Sequence, residues 1–467
     1  MIFSSIPFLY YFLPAVLITY YLVPKGIRNV TLLAASLFFY AWGEQLLVLL
    51  FAGSIAINWL LGLVIEEKRG VRQGKLWLWA ALFIDMGLLV YFKYADFFLD
   101  SFNSVFGTTI PLLSIALPIG ISFYTFQLMS YEVDVYRGNV AAQHSIVDFA
   151  TYVSFFPQLI AGPIVRYADV AAQLQHRRHT IDSAAEGIRR FLLGLGKKVL
   201  LANTLGTLCR SYYISGDLSV LYHWLYAVAF SLQIYFDFSG YSDMSIGLGK
   251  LFGFTLPENF DYPYISRSIT EFWRRWHMTL GSWFRDYVYI PLGGNQRGLK
   301  VQLRNILIVW MLTGLWHGAA WNFVLWGLWY ALLLTAEKLG AKHWLEKHSI
   351  LSHGYVMLSV IFGFVLFDAA DLKAAGRVIG GMLGSGEKLP LISPEAVYML
   401  RSYGFVLLLA AILATPLPKR LFQRFFCRPG GERLLTVIRP VVLSAVLLLT
   451  TAYLVDGSFN PFLYFRF

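Results

Sequence analysis

The stretch NILIVWMLTGLWHGAAWNFVLWGLWYALLLTA, Asn305–Ala336, contains no Asp, Glu, Lys or Arg, yet it holds a histidine near its centre. It is long enough for two short helices, and basic residues flank both ends (Arg304 and Lys338). Basic flanks stay on one side of a bilayer. The stretch is therefore predicted to enter a membrane and return. Backbone that breaks helix at membrane depth is tolerated only where protein buries it or where it lines a watery cavity. This predicts a central hollow.

Composition extends that reading to the whole chain. Of 467 residues, 57% are hydrophobic, 14% charged and 17% aromatic, with mean hydropathy +0.59. A soluble domain is nearer a quarter charged, so the apolar excess implies lipid as a partner. The predicted class is all-α, a polytopic integral membrane protein with about 10–11 transmembrane helices in a ring, plus re-entrant helices, around a central funnel. One membrane-embedded domain, 1–467, is expected. The net charge of +11 sits in short loops, not on one polar face, which argues against nucleic acid. Cys209 and Cys427 are far apart and form no disulfide framework or metal pattern. The first apolar run, Phe8–Val23, lacks a preceding basic residue and a cleavage site, so it reads as a retained helix.

Predicted spans are 6–23, 30–42, 46–65, 76–92, 111–132, 191–212, 223–236, 354–368, 403–417 and 438–455. A second re-entrant segment is expected at Phe149–Val165, which contains Pro157, Gly162 and Pro163. The basic loops after the first and third spans, around 177–198, at 274–304 and at 419–433 all fall inside if both termini lie outside.

Three segments carry chemistry. The first is Leu315-Trp316-His317-Gly318-Ala319. An ionisable group inside a membrane segment is a functional hypothesis by default, and histidine exchanges protons near neutral pH. A hydrogen bond between helices is the plainer alternative. The second is SITEFWRRWHMTLGSWFRDYVYIPLGG, Ser268–Gly294. Trp273, Trp276 and Trp283 fit one helical face, beside Arg274, Arg275, Arg285 and His277. One reading is an interfacial helix with its aromatics toward lipid. The other turns His277 inward and sets the arginine forks on an anionic donor. The third is YFDFSGYSD, Tyr235–Asp243, where Asp237, Ser239, Tyr241 and Asp243 either line a polar path or cap a helix end. Phosphate-loop, nucleophile-elbow and zinc-protease patterns are absent, and no metal site is expected.

These motifs, with MIFSS at 1–5, LPIGISFY at 117–124, LIAGPI at 159–164, FRDYVYIPLGGN at 284–295, GLWHGAAWN at 314–322 and NPFLYFRF at 460–467, resemble the membrane-bound O-acyltransferase family, in its alginate O-acetyltransferase branch. The resemblance implies that His317 is catalytic and that His277 fills a second polar position taken by Asn or Asp elsewhere in the family. Asn322 joins Asp237, Ser239, Tyr241 and Asp243 as orienting residues, and Trp273 and Trp276 join the arginines as donor contacts. No cofactor is permanently bound. The implied donor is acetyl-CoA or a carrier-protein thioester, and the implied partner is an extracytoplasmic acetyltransferase or acceptor protein, with polysaccharide reached indirectly. The implied location is the bacterial cytoplasmic membrane. D-alanyl, lipid or protein acyl transfer within the family, and a transporter without covalent chemistry, are the alternatives.

Overall fold

A computed structural model describes residues 1–160, 162–385, 389–426, 431–457 and 463. Ala161, Cys427, part of the 419–433 loop and the closing motif apart from Leu463 lie outside the described residues. Among the described residues every regular element is a helix, with one isolated bridge between Phe260 and Trp276. Five helices among the described residues are long and apolar enough to cross a membrane: Leu47–Glu67, Arg72–Phe106, Ser349–Asp368, Pro394–Leu413 and Leu434–Val455. The protein is an all-α, multi-pass membrane protein. Packing divides the chain into two compact units, Met1–Phe191 with Met244–Pro257, and Leu192–Asp243 with Glu258–Phe467.

In the first unit, Leu47–Glu67 packs on both Arg72–Leu89 and Ile121–Arg137. The predicted 111–132 span differs from the structure. Residues 111–118 have no regular structure, and the helix starts at Ile121 after a left-handed Gly120. Pro118 offers no backbone N–H and holds its predecessor out of the helical region, which delays the start. The Phe149–Val165 segment breaks as its prolines suggest. Ile146–Ser154 ends at Phe155, whose backbone leaves the helical region (φ −48°, ψ 105°), and a single turn, Phe156–Leu159, follows. Residues 149–160 are buried in protein throughout. The Phe156 N–H donates to Ser36 Oγ at 3.1 Å, so the broken backbone is satisfied internally.

In the second unit, the Asn305–Ala336 run forms a hairpin of two helices, Leu299–His317 and Trp321–Ala336. The chain reverses at Gly318–Ala320, where Gly318 and Ala320 are extended. Two glycines set how closely the arms approach. A Cβ on Gly314 would overlap the Phe323 carbonyl, and one on Gly327 would overlap the Trp310 carbonyl. Small residues at such crossings let helices meet without a water-driven force. Ser349–Asp368 packs against the second arm, with Tyr330 seated over Gly363.

The predicted 223–236 span is the apolar part of a 32-residue helix, Val220–Leu251. At about 1.5 Å per residue it is ~48 Å long. Its polar stretch, Tyr235–Asp243, stays helical because its carboxylates are paired. Lys198 Nζ lies 2.5 Å from Asp237 Oδ1, with both side chains almost fully buried, and Lys197 Nζ lies 2.6 Å from Asp243 Oδ2. The helix-end reading of this stretch is thereby replaced by a mid-helix one.

Gly327→Leu is expected to lower stability by about 3 kcal/mol, because the arms must separate. Gly354→Ala, where nothing lies within 4 Å, is expected to be neutral or slightly stabilising. Thermal unfolding followed by size-exclusion in detergent distinguishes the two.

Candidate functional site

The hairpin's first arm ends at His317, so the imidazole sits at the reversal, 6% exposed. Its ring lies 5.0 Å from Trp326 and 5.2 Å from Phe367, both edge-on. Trp326 belongs to the returning arm and Phe367 to Ser349–Asp368. Three helix segments thus fix one ring.

His277 reaches the same neighbourhood by another route. The Ser268–Gly294 segment is not one amphipathic helix. It breaks into Ile269–Arg275 and Met278–Phe284, with His277 between them at φ +45° and ψ +53°. A non-glycine residue in that left-handed region costs roughly 1–2 kcal/mol. Asn259 holds the break. Its backbone carbonyl accepts from the Met278 N–H at 3.0 Å, and its Oδ1 accepts from Thr279 Oγ1 at 3.0 Å and the Thr279 N–H at 3.3 Å. His277 Nδ1 lies 3.1 Å from the same Oδ1. Because the Thr279 N–H can only donate, it fixes the amide with Oδ1 toward the histidine. Nδ1 must then carry a proton, and in the neutral ring this leaves Nε2 with a lone pair. Nε2 is buried and has no protein partner among the described residues.

The two imidazoles flank one indole. Trp316 lies 5.9 Å from His277 and 4.9 Å from His317, ring centre to ring centre. Phe238, on Val220–Leu251, closes the other side of His277 at 4.7 Å. The aromatics of the WRRWH segment face protein. Trp273 packs on Trp310, Trp326 and Tyr330 at 4.7, 5.5 and 4.8 Å, and Trp276 is 4% exposed against Phe272 and Phe364. This replaces the expectation that these rings face lipid. The indole N–H groups of Trp273 and Trp326 are buried donors without an acceptor among the described residues. Buried polar groups are nearly always satisfied by something, so such donors gathered near two histidines mark a place where a polar ligand fits.

The remaining predicted residues separate. Asn322 is buried on the returning arm and donates from Nδ2 to the Ala369 carbonyl at 2.9 Å. Asp237 turns to Lys198, and its Oδ2 accepts from the Leu463 N–H at 2.9 Å. Ser239 and Tyr241 are buried on the same helix, and Asp243 pairs with Lys197. Arg275 is held by Glu271 at 3.0 Å and Asp261 at 2.8 Å. Arg285 is exposed and paired with Asp286 at 2.7 Å, while Arg274 is exposed.

Two positioning residues were missed by the sequence reading. Asn259 is one. Glu337 is the other: it is 3% exposed and accepts from the Ile269 N–H at 2.5 Å, the Thr270 N–H at 3.0 Å and Thr270 Oγ1 at 2.6 Å. It ties the end of the returning arm to the start of the segment bearing Trp273 and His277. A carboxylate on the free N–H groups of a helix start is a favourable pairing. Its position at the end of an apolar run was the available clue.

A model of the membrane-bound O-acyltransferase family matches residues 139–368, which contain both histidines. Over 393 residues the chain is 46% identical to a probable alginate O-acetylase of Pseudomonas aeruginosa, covering 83% of this chain and 75% of the relative. It is 40% identical to a probable alginate O-acetylase of Pseudomonas putida over the whole of both chains. It is 34% identical to a peptidoglycan O-acetyltransferase of Helicobacter pylori, covering 100% of this chain and 98% of the relative.

Asn259→Ala leaves the His277 and Thr279 donors stranded and is expected to cost about 1–3 kcal/mol. In nitrogen-labelled protein, solid-state NMR near neutral pH is expected to show His277 protonated at Nδ1 and bare at Nε2. The reverse tautomer would remove the assignment.

Proposed function

The chain belongs to the membrane-bound O-acyltransferase family and is an O-acetyltransferase, and on that premise we propose that it moves an acetyl group from a cytoplasmic thioester to a hydroxyl outside the bacterial inner membrane, serving polysaccharide O-acetylation. The observation that carries this reading is the His317 imidazole, held by Trp326 and Phe367 at the reversal of an apolar helical hairpin. The acceptor is proposed as an alginate-like polysaccharide, reached through an extracytoplasmic acetyltransferase or acceptor protein. The likeness to probable alginate O-acetylases of Pseudomonas supports it.

In the proposed reaction His317 removes the proton from the acceptor hydroxyl as its oxygen attacks the thioester carbonyl. The carbon–sulfur bond then breaks, the thiol leaves, and the proton passes to it. General-base help of this kind is worth roughly 10²–10⁴ in rate. His277, with its lone pair on Nε2, would accept a hydrogen bond from a neighbouring hydroxyl of the acceptor and so align the one that His317 deprotonates. The developing oxyanion needs donors, and the Trp273 and Trp326 indole N–H groups suit that role. Asn322, Ser239 and Tyr241 would line the approach, and Asp237 and Asp243 would hold their helix through the two lysines. Trp276 would pack beneath the donor path. Acetyl-CoA or a carrier-protein thioester is the proposed donor. Exposed Arg274 is the readiest phosphate contact, while Arg275 and Arg285 would exchange a carboxylate partner for phosphate. The distribution of basic loops supports both termini outside.

Purified protein in nanodiscs with radiolabelled acetyl-CoA, or with an acetylated carrier protein, tests the chemistry. His317→Ala is expected to abolish acetyl transfer while the protein still folds; retained activity in that variant would sink the base assignment. His277→Asn is expected to lose less than His277→Ala, since an amide also fills a hydrogen-bonding position. Cysteines introduced at Arg72 and Arg297 are expected to label from inside, and one at Asp217 from outside.

A further inference from the structure

In the first unit the helices Leu47–Glu67, Arg72–Leu89 and Ile121–Arg137 pack pairwise. Each brings one polar residue into their common interior: Asn58 at 1% exposure, Asp85 at 2% and Glu132 at 0%. Asn58 sits near the middle of its 21-residue helix, and both Asn58 and Asp85 lie in candidate membrane spans. The Asn58 amide donates to Asp85 Oδ1 at 2.9 Å and to the Ser54 carbonyl at 3.0 Å. Those bonds use its N–H groups and fix Oδ1 on the other side. Glu132 lies within electrostatic reach of Asp85.

Asn58 Oδ1, Asp85 Oδ2, Glu132 Oε1 and Glu132 Oε2 are all buried acceptors with no donor among the described residues. The charged and titratable groups around them do not supply one. Tyr124, two turns before Glu132, is within reach of Asp85, and Tyr131 is within reach of Glu132. The Tyr131 hydroxyl accepts the Gln143 N–H at 3.0 Å. Lys93 Nζ donates to Ser122 Oγ at 3.2 Å. Two carboxylates in apolar packing without a counter-charge are strongly disfavoured in their ionised form. Unsatisfied acceptor oxygens on three mutually packed helices call for a positive partner. Ca²⁺ takes six to eight oxygens and Mg²⁺ keeps its waters, so four unsatisfied acceptors suit a monovalent ion.

We propose that Asn58, Asp85 and Glu132 form a binding site for a small monovalent cation, H⁺ or Na⁺, within the membrane. It shares no residue with the histidine site and does not rest on the acetyl-transfer reading. Infrared difference spectra of the full chain in nanodiscs, recorded against pH in choline chloride and then in NaCl, test it. A protonated-carboxyl band that vanishes as pH rises identifies the proton, and one that also vanishes on adding Na⁺ at fixed pH identifies sodium as a competing ligand. The band is expected to be lost in the isosteric variants Glu132→Gln and Asp85→Asn. A wild-type spectrum without any carboxyl band sensitive to pH or Na⁺ overturns the proposal, as does a band that persists in both variants. Should a variant fail to fold, reaction of the wild type with a hydrophobic carbodiimide, located by mass spectrometry, substitutes. Modification of Glu132 or Asp85 that falls at high pH or with Na⁺ supports the site; no modification of either residue overturns it.

Discussion

Lipid offers no hydrogen bonds, so each polar group that leaves water here must find its partner inside the protein. The hairpin at Leu299–Ala336 meets that constraint in the most economical way. Its arms keep their own backbone bonds, and they approach through Gly314 and Gly327, where only hydrogen fits. The single place where helix gives way, Gly318–Ala320, is where the histidine is presented. Loosening the glycine crossing would move the imidazole against Trp326 and Phe367 before it moved anything else.

The second histidine depends on the first by a short chain of contacts. Glu337, at the far end of the returning arm, holds the N-terminus of Ile269–Arg275. That helix ends at the left-handed His277, whose ring is locked by Asn259. Trp316 lies against both imidazoles. A carboxylate, an amide and an indole therefore set the relation of two groups that are forty residues apart in the chain.

What the sequence disclosed followed from how each feature is encoded. The length and apolarity of Asn305–Ala336 and the prolines of Phe149–Val165 made the helix pair and the break at Phe155 visible, because these are local properties. The motif order pointed to the family before any geometry was known. Val220–Leu251 was only half visible, since Asp237 and Asp243 look like a helix end until Lys197 and Lys198 are found beside them. The Ser268–Gly294 tryptophans have a helical period that survives a broken backbone, so the kink at His277 left no trace in the pattern. Asn259 and Glu337 act through partners distant in sequence, which periodicity does not report. The start at Ile121 turned on Pro118 and Gly120, whose effect outweighed the apolar run before them.

The backbone at His277 has a consequence for how this segment can vary over evolutionary time. Positive φ penalises side chains branched at Cβ and is borne best by Gly, Asn, Asp and His. The kink therefore acts as a filter upstream of any selection for chemistry. Mutation can readily exchange one short hydrogen-bonding group for another at this position, but it reaches an aliphatic residue only by unwinding the turn. The range of side chains available at this position is limited by a torsion angle before any other demand is made on it.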